Sequence, residues 1–197
     1  MTVREIINPD ARTFKRLTSL LTESFWKTPL FSEFLFPGRK PLARTFLAAL
    51  LQYGLRAGRT FAAEDGERGI VACALWSNPD APEFNLKTWL KLGIWPHMLS
   101  IALRSPSAMG RIGELFAMLD RYAPEEPCAT LEFLASAEKG AGAAVVLGSL
   151  SAYAGWPLYV ESIVSKNDHA YYKQFGFVPF ARTDFHGTDY AFMRIEA

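Results

Sequence analysis

The sequence predicts a mixed α/β domain, α+β in composition, with a single twisted mixed central sheet flanked by helices on both faces. Three observations predict it. A strand at 131–136, a helix at 139–154 and a strand at 158–163 follow one another at the lengths of a βαβ unit, whose strands lie parallel and whose crossover is right-handed. Residues 59–64 and 69–76 flank the turn Asp65-Gly66-Glu67-Arg68, a hairpin signal, and GIVACALW within the second is apolar throughout, as a strand covered on both faces must be. A chain of 197 residues, 50% of them hydrophobic, suffices for one core and falls short of two domains of ordinary size.

The elements follow in order. Residues 2–7 alternate like a short strand, and Asn8-Pro9 reads as a helix cap followed by proline at the first helical position. Phe14, Leu17, Leu21 and Phe25 recur at helical spacing, so this helix has one buried stripe and ends near Trp26. The aromatic stretch LFSEFLFPG closes at Pro37-Gly38, and a second helix spans Pro41 to Ala57, stopped by Gly58. After the hairpin, residues 84–121 return to helices rich in Trp, Leu and Met, interrupted at Pro96 and Pro106; this is an insertion within the domain. The βαβ unit is followed by a helix at about 167–175 and strands at 177–183 and 188–195, with Pro179 marking an edge or a bulge.

Composition removes several function classes. With 21 Lys+Arg against 20 Asp+Glu, the net charge of +1 provides no field to gather nucleic acid or lipid headgroups, so neither is an expected partner. Leu92 to Leu103 is uncharged but far shorter than the roughly 20 apolar residues of a membrane span. The amino terminus lacks the apolar core of a signal peptide, and the two cysteines, Cys73 and Cys128, lie in apolar stretches as buried thiols would; a cytoplasmic protein is expected. His97, His169 and His186 show no ligand-like spacing and no metal site is expected, while the absence of Gly-x-Ser-x-Gly argues against a serine hydrolase.

Two segments carry chemistry. In AEKGAGAAVVLGSLSAYAG, Gly140 and Gly142 stand where a strand gives way to a helix, with nothing bulkier than alanine through Ala144. Exposed amides at a helix N-terminus attract a pyrophosphate, although small residues there serve equally to pack a helix tightly on a sheet. In SKNDHAYYKQFGF, Asn167 can cap a short helix presenting Tyr171 and Tyr172, which Gly176 ends. A tyrosine with pKa near 10 can protonate a departing thiolate of pKa about 8.5, and the plainer role of such a pair is as core aromatics with wet hydroxyls.

In this order the two segments resemble the GNAT superfamily of N-acetyltransferases, and the layout is most similar to its puromycin N-acetyltransferase branch. The landmarks are LEFLA, then Ala137, Gly140 and Gly142 in the family's Gln/Arg-x-x-Gly-x-Gly/Ala positions, then Asn167 with Tyr172, Gly176 and Phe177. Ala137 departs from the Gln/Arg of the pattern, and the Ala135–Gly140 loop reads as shorter than usual. The resemblance implies the GNAT-like acyl-CoA N-acyltransferase fold over residues 1–197, with a coenzyme-binding half at 128–197. It implies acetyl-CoA as co-substrate and direct transfer of the acetyl group to a primary amine of a small, partly aromatic or apolar molecule. The pantetheine arm would lie along Phe133, Leu134 and Ala135. The pyrophosphate would sit on the amides of Gly140, Ala141, Gly142 and Ala143, with Lys139, Asn167 and Tyr172 alongside. Tyr172 would be the general acid. An amine must lose a proton before attacking a thioester, so a base is needed, and Glu132 and Glu161 on neighbouring strands are the candidates. The acceptor walls are expected from Phe25, Trp26, Trp76 and Phe84, with Phe31, Phe34, Trp89 and Trp95 nearby, all of which serve equally as core. A homodimer is compatible with this reading. Its rival, motivated by Ala137, is a degenerate module that binds acyl-CoA or a protein partner without catalysis.

Overall fold

The structure, a computed structural model, describes residues 1–163 and 169–196. Strand β1 (Thr2–Glu5) leads to helix α1 (Ala11–Phe25). The helix begins later than the Asn8-Pro9 pattern suggests, because Asp10 Oδ1 accepts a 2.7 Å hydrogen bond from the amide of Thr13 and so is the true cap. Asn8 instead turns the chain out of β1 at a φ of 50°. LFSEFL forms a π-helical turn over Leu30–Leu35 that buries Leu30, Phe31 and Leu35. Helix α2 (Lys40–Ala57) then meets β2 (Gly58–Asp65) at Gly58, where a Cβ would stand only 1.9 Å from the carbonyl oxygen of Trp76. Strand β3 (Gly69–Ser77) completes the hairpin.

The insertion folds as α3 (Leu86–Lys91), α4 (Trp95–Arg104) and α5 (Pro106–Tyr122). Pro96 and Pro106 lie in first turns, where a missing amide proton costs nothing, so they start helices rather than interrupt them. The rest of the chain is β4 (Ala129–Ser136), α6 (Ala141–Leu150), β5 (Leu158–Ile163), α7 (His169–Lys173), β6 (Val178–Phe185) and β7 (Thr188–Ile195). Helix α6 is shorter than expected, since its last stretch tightens into a 3-10 turn over Ser151–Tyr153.

These strands form one seven-stranded sheet in the order β1-β2-β3-β4-β5-β7-β6, antiparallel everywhere except between β4 and β5. Pro179 lies in the edge strand β6 beside a register shift, so both of its expected roles coincide. Helices α1, α2, α4 and α5 bury one face of the sheet against Cys73, Leu75, Ala135 and Tyr159. On the other face α6 and α7 cover Ala74, Trp76, Leu131 and Val160. The parallel β4–β5 pair is brief: Ala129, Thr130 and Leu131 pair with Leu158, Tyr159 and Val160, and among the described residues no residue of β5 pairs with Glu132 to Ser136. From Leu131 onward the two central strands diverge, and a cleft opens through the middle of the sheet.

Candidate active site

Glu132 stands where the cleft begins. In the β3–β4 ladder Phe133 opposes Leu75 and Leu131 opposes Trp76, so Glu132 is the extra residue of a β-bulge. A bulge re-aims a side chain out of strict alternation. The Glu132 carboxylate accepts a 2.6 Å hydrogen bond from Ser77 Oγ, and it is reached by solvent through the cleft while protein encloses it on its other sides. Glu161, on β5 across the opening, accepts a 3.2 Å hydrogen bond from Tyr159 Oη.

The two carboxyls feel each other. Removal from bulk water raises the pKa of both, most visibly at Glu161, which burial and the charge of Glu132 together push up to about 8. Ser77's short hydrogen bond works against burial at Glu132, whereas at Glu161 the charge of Glu132 adds to burial. Tyr53, on α2, is pushed up to about 12 by burial and by the Glu132 charge, and Tyr190 is pushed up by burial and by Glu161. Asp120 of α5 adds negative charge near Glu161 and is itself raised. This end of the cleft therefore favours a cation or a proton.

At the opposite end β4 runs into the start of α6. Gly140 adopts a φ of 83°, and the first turn of α6 follows with Ala141, Gly142 and Ala143. Gly142 cannot carry a side chain without rearrangement, since a Cβ would lie 2.8 Å from Tyr171 Oη and 3.4 Å from Ser136 Cβ. The small residues thus serve close packing of α7 on α6, and Gly140, Gly142 and Ala143 also line the cleft. Glu138, beside this turn, is held by Arg68 Nη1 at 2.9 Å, which offsets a charge that would repel an anion.

A single cavity of about 650 Å³ joins the two ends. Its wall includes Leu134, Lys139, Gly140, Gly142, Ala143 and Tyr172 on the α6–α7 side, Glu132 and Glu161 in the middle, and Phe25, Phe31 and Phe84 beyond them, with Phe133 packed edge-on against Phe25. Ala135 and Ala141 are fully buried and not part of the wall. Asn167 lies outside the described residues. Trp76 corrects the expected acceptor pocket. Alternation along β3 turns Leu75 toward the cavity and Trp76 toward α6, where its indole donates to Ser149 Oγ at 3.0 Å in complete burial. Trp26 packs on the core of α1 and α2 without reaching the cavity wall, Phe34 stacks on His186, Trp89 packs on Phe84, and Trp95 projects from α4. Leu115, Phe116 and Leu119 of α5 take the vacated places. Sequence reading also misses Tyr53, Ser77 and Tyr190. Tyr159 was within reach, since Tyr-x-Glu on a strand puts both side chains on one face.

No family model and no curated protein matches the sequence. Solved structures do. A "histone acetyltransferase HPA2 and related acetyltransferase" from Corynebacterium glutamicum superposes with a TM-score of 0.71 at 22% identity, covering 98% of this chain and 96% of that one. Arylalkylamine N-acetyltransferase 2 from Aedes aegypti gives 0.63 at 11% identity, with 99% of each chain covered. An N-acetyltransferase from Staphylococcus aureus gives 0.61 at 11% identity, covering 99% and 100%. Sheet order, the diverging central strands and the helical layers together make the fold of this chain that of the GNAT acyl-CoA N-acyltransferases.

Proposed function

We propose that the protein is an acetyl-CoA-dependent N-acetyltransferase acting on a primary amine of a small, partly aromatic or apolar molecule. One observation carries the reading: a single cavity links a glycine-lined helix start, a pair of enclosed carboxyls and an aromatic compartment. The residues present fit the coenzyme. The open first turn of α6 suits the pyrophosphate, Lys139 stands on the wall beside it, and among the described residues β4 beyond Leu131 has no β5 partner, leaving its backbone available to a pantetheine arm. Acetyl-CoA would supply the acetyl group as an activated thioester. Phe25, Phe31, Phe84 and Phe116 would seat the apolar body of the amine. Glu132, whose carboxylate form the Ser77 hydrogen bond favours, would draw the ammonium to the middle of the cleft and take its proton at Oε1 or Oε2. Tyr172 on α7, on the same wall, would hold the proton that the departing sulfur needs.

The test is release of coenzyme thiol from acetyl-CoA with an arylalkylamine, an aliphatic amine and an amino sugar. The two apolar amines are expected to turn over with kcat/KM at least about tenfold above the sugar, the usual worth of an apolar side chain in a fitting pocket. Coenzyme binding without turnover of any amine would favour the non-catalytic module.

A further inference from the structure

We infer that the outer face of α3 and α4 docks on an anionic lipid surface. Among the described residues most large apolar side chains are buried, yet five of the eleven exposed ones fall between residues 86 and 103: Leu86 (63%), Leu90 (60%), Trp95 (45%), Leu99 (46%) and Leu103 (75%). They follow helical spacing. Leu86 and Leu90 lie one turn apart on α3, and Trp95, Leu99 and Leu103 lie one turn apart on α4, opposite the buried Met98 and Ile101. None of the five lines the cavity of the site.

The charges carried by α3 and α4 themselves have one sign. The two helices contain Lys87, Lys91 and Arg104 and no Asp or Glu, the nearest acid in the chain being Glu83 beside the Asn85 cap of α3. The net charge of +1 is an average that conceals this segment, because the acids lie elsewhere in the chain. Leu and Trp on one side of a helix with Lys and Arg beside them is the composition that rests in the headgroup region, the rings and leucines reaching the acyl boundary and the cations meeting lipid phosphates. Among the described residues no helix is long and apolar enough to cross a membrane, so the contact is peripheral. A second copy of the chain fits less well, since a two-fold contact through this face sets Lys87, Lys91 and Arg104 against their own kind with no acid between.

Sedimentation with vesicles is the test. The protein is expected to bind phosphatidylglycerol/phosphatidylcholine vesicles and to be released by salt, with little binding to pure phosphatidylcholine. Leu90→Ser with Leu103→Ser should lower binding about tenfold or more, and Lys87→Gln with Lys91→Gln about tenfold. All four residues are exposed and outside the cavity, so both variants should keep the melting temperature of the parent. No binding to anionic vesicles, equal binding to neutral ones, or binding unchanged by both pairs would overturn the inference. Dimerisation in lipid-free solution that Leu90→Ser with Leu103→Ser abolishes, without any vesicle binding, would assign the face to a second copy.

Discussion

Ser77 Oγ reaches across from β3 to donate a 2.6 Å hydrogen bond to Glu132, the bulge residue of β4. That bond favours the carboxylate over the acid. Ser77→Ala removes it, so the Glu132 pKa should rise. A hydrogen bond to a charged group contributes about 1.5–3 kcal/mol and one pH unit corresponds to 1.36 kcal/mol, so the acidic limb of the kcat/KM profile should move up by about 1–2 units. Activity lost near neutrality should return at higher pH. A limb that stays in place would separate Glu132 from the proton transfer.

Glu161 should leave a mark on stability. Its pKa is raised from 4.5 to about 8 in the folded protein, so between those values the native state holds a proton that the unfolded chain has released. Stability from this group is complete below about 4.5 and is lost as pH rises through about 8. Glu161→Gln removes the titration, and the melting temperature of the variant relative to the parent should climb from pH 5 to pH 8.5. Parallel curves for the two proteins across that range would place the retained proton elsewhere.

The part of the site that sequence reveals is the part built from neighbours in the chain. Strand β4, the glycine turn, α6 and β5 are contiguous, and the parallel pairing follows from their lengths. Glu132 and Glu161 are legible as carboxylates on adjacent strands, whereas the bulge that aims Glu132 depends on β3–β4 register, which no local pattern encodes. Trp76 was misplaced for a related reason. Strand β3 is buried on both faces, so its hydrophobicity does not alternate and gives no hint of which residues turn toward α6. Tyr53 and Phe116 come from helices distant in sequence, brought to the cavity by packing alone. Asp10 took the cap from Asn8 through one local hydrogen bond that competes closely with the alternative.

The contact between Gly142 and Tyr171 can be probed by a double-mutant cycle. Gly142→Ala sets a Cβ 2.8 Å from Tyr171 Oη and should destabilise the protein by about 1–3 kcal/mol, the usual cost of overpacking. In a Tyr171→Phe background the hydroxyl is gone, and the same substitution should cost clearly less in denaturant unfolding. Equal costs in both backgrounds would show that the crowding is with Ser136.

The two adjacent tyrosines should separate kinetically. Tyr172→Phe removes a proton donor and little volume, so kcat should fall about 10²-fold or more with coenzyme affinity nearly unchanged. Tyr171→Phe should be milder, because its hydroxyl packs against Gly142. Equal small losses from both would make Tyr172 structural.

Acetyl transfer at the carboxyl pair is tested most directly by incubating the protein with acetyl-CoA and an arylalkylamine and measuring free coenzyme thiol and acetylated amine together. The two should appear in equal amounts, and Glu132→Gln should slow both by about 10²-fold or more while acetyl-CoA still raises the melting temperature. Undiminished turnover in Glu132→Gln, or no stabilisation of the parent by millimolar acetyl-CoA, would contradict the account.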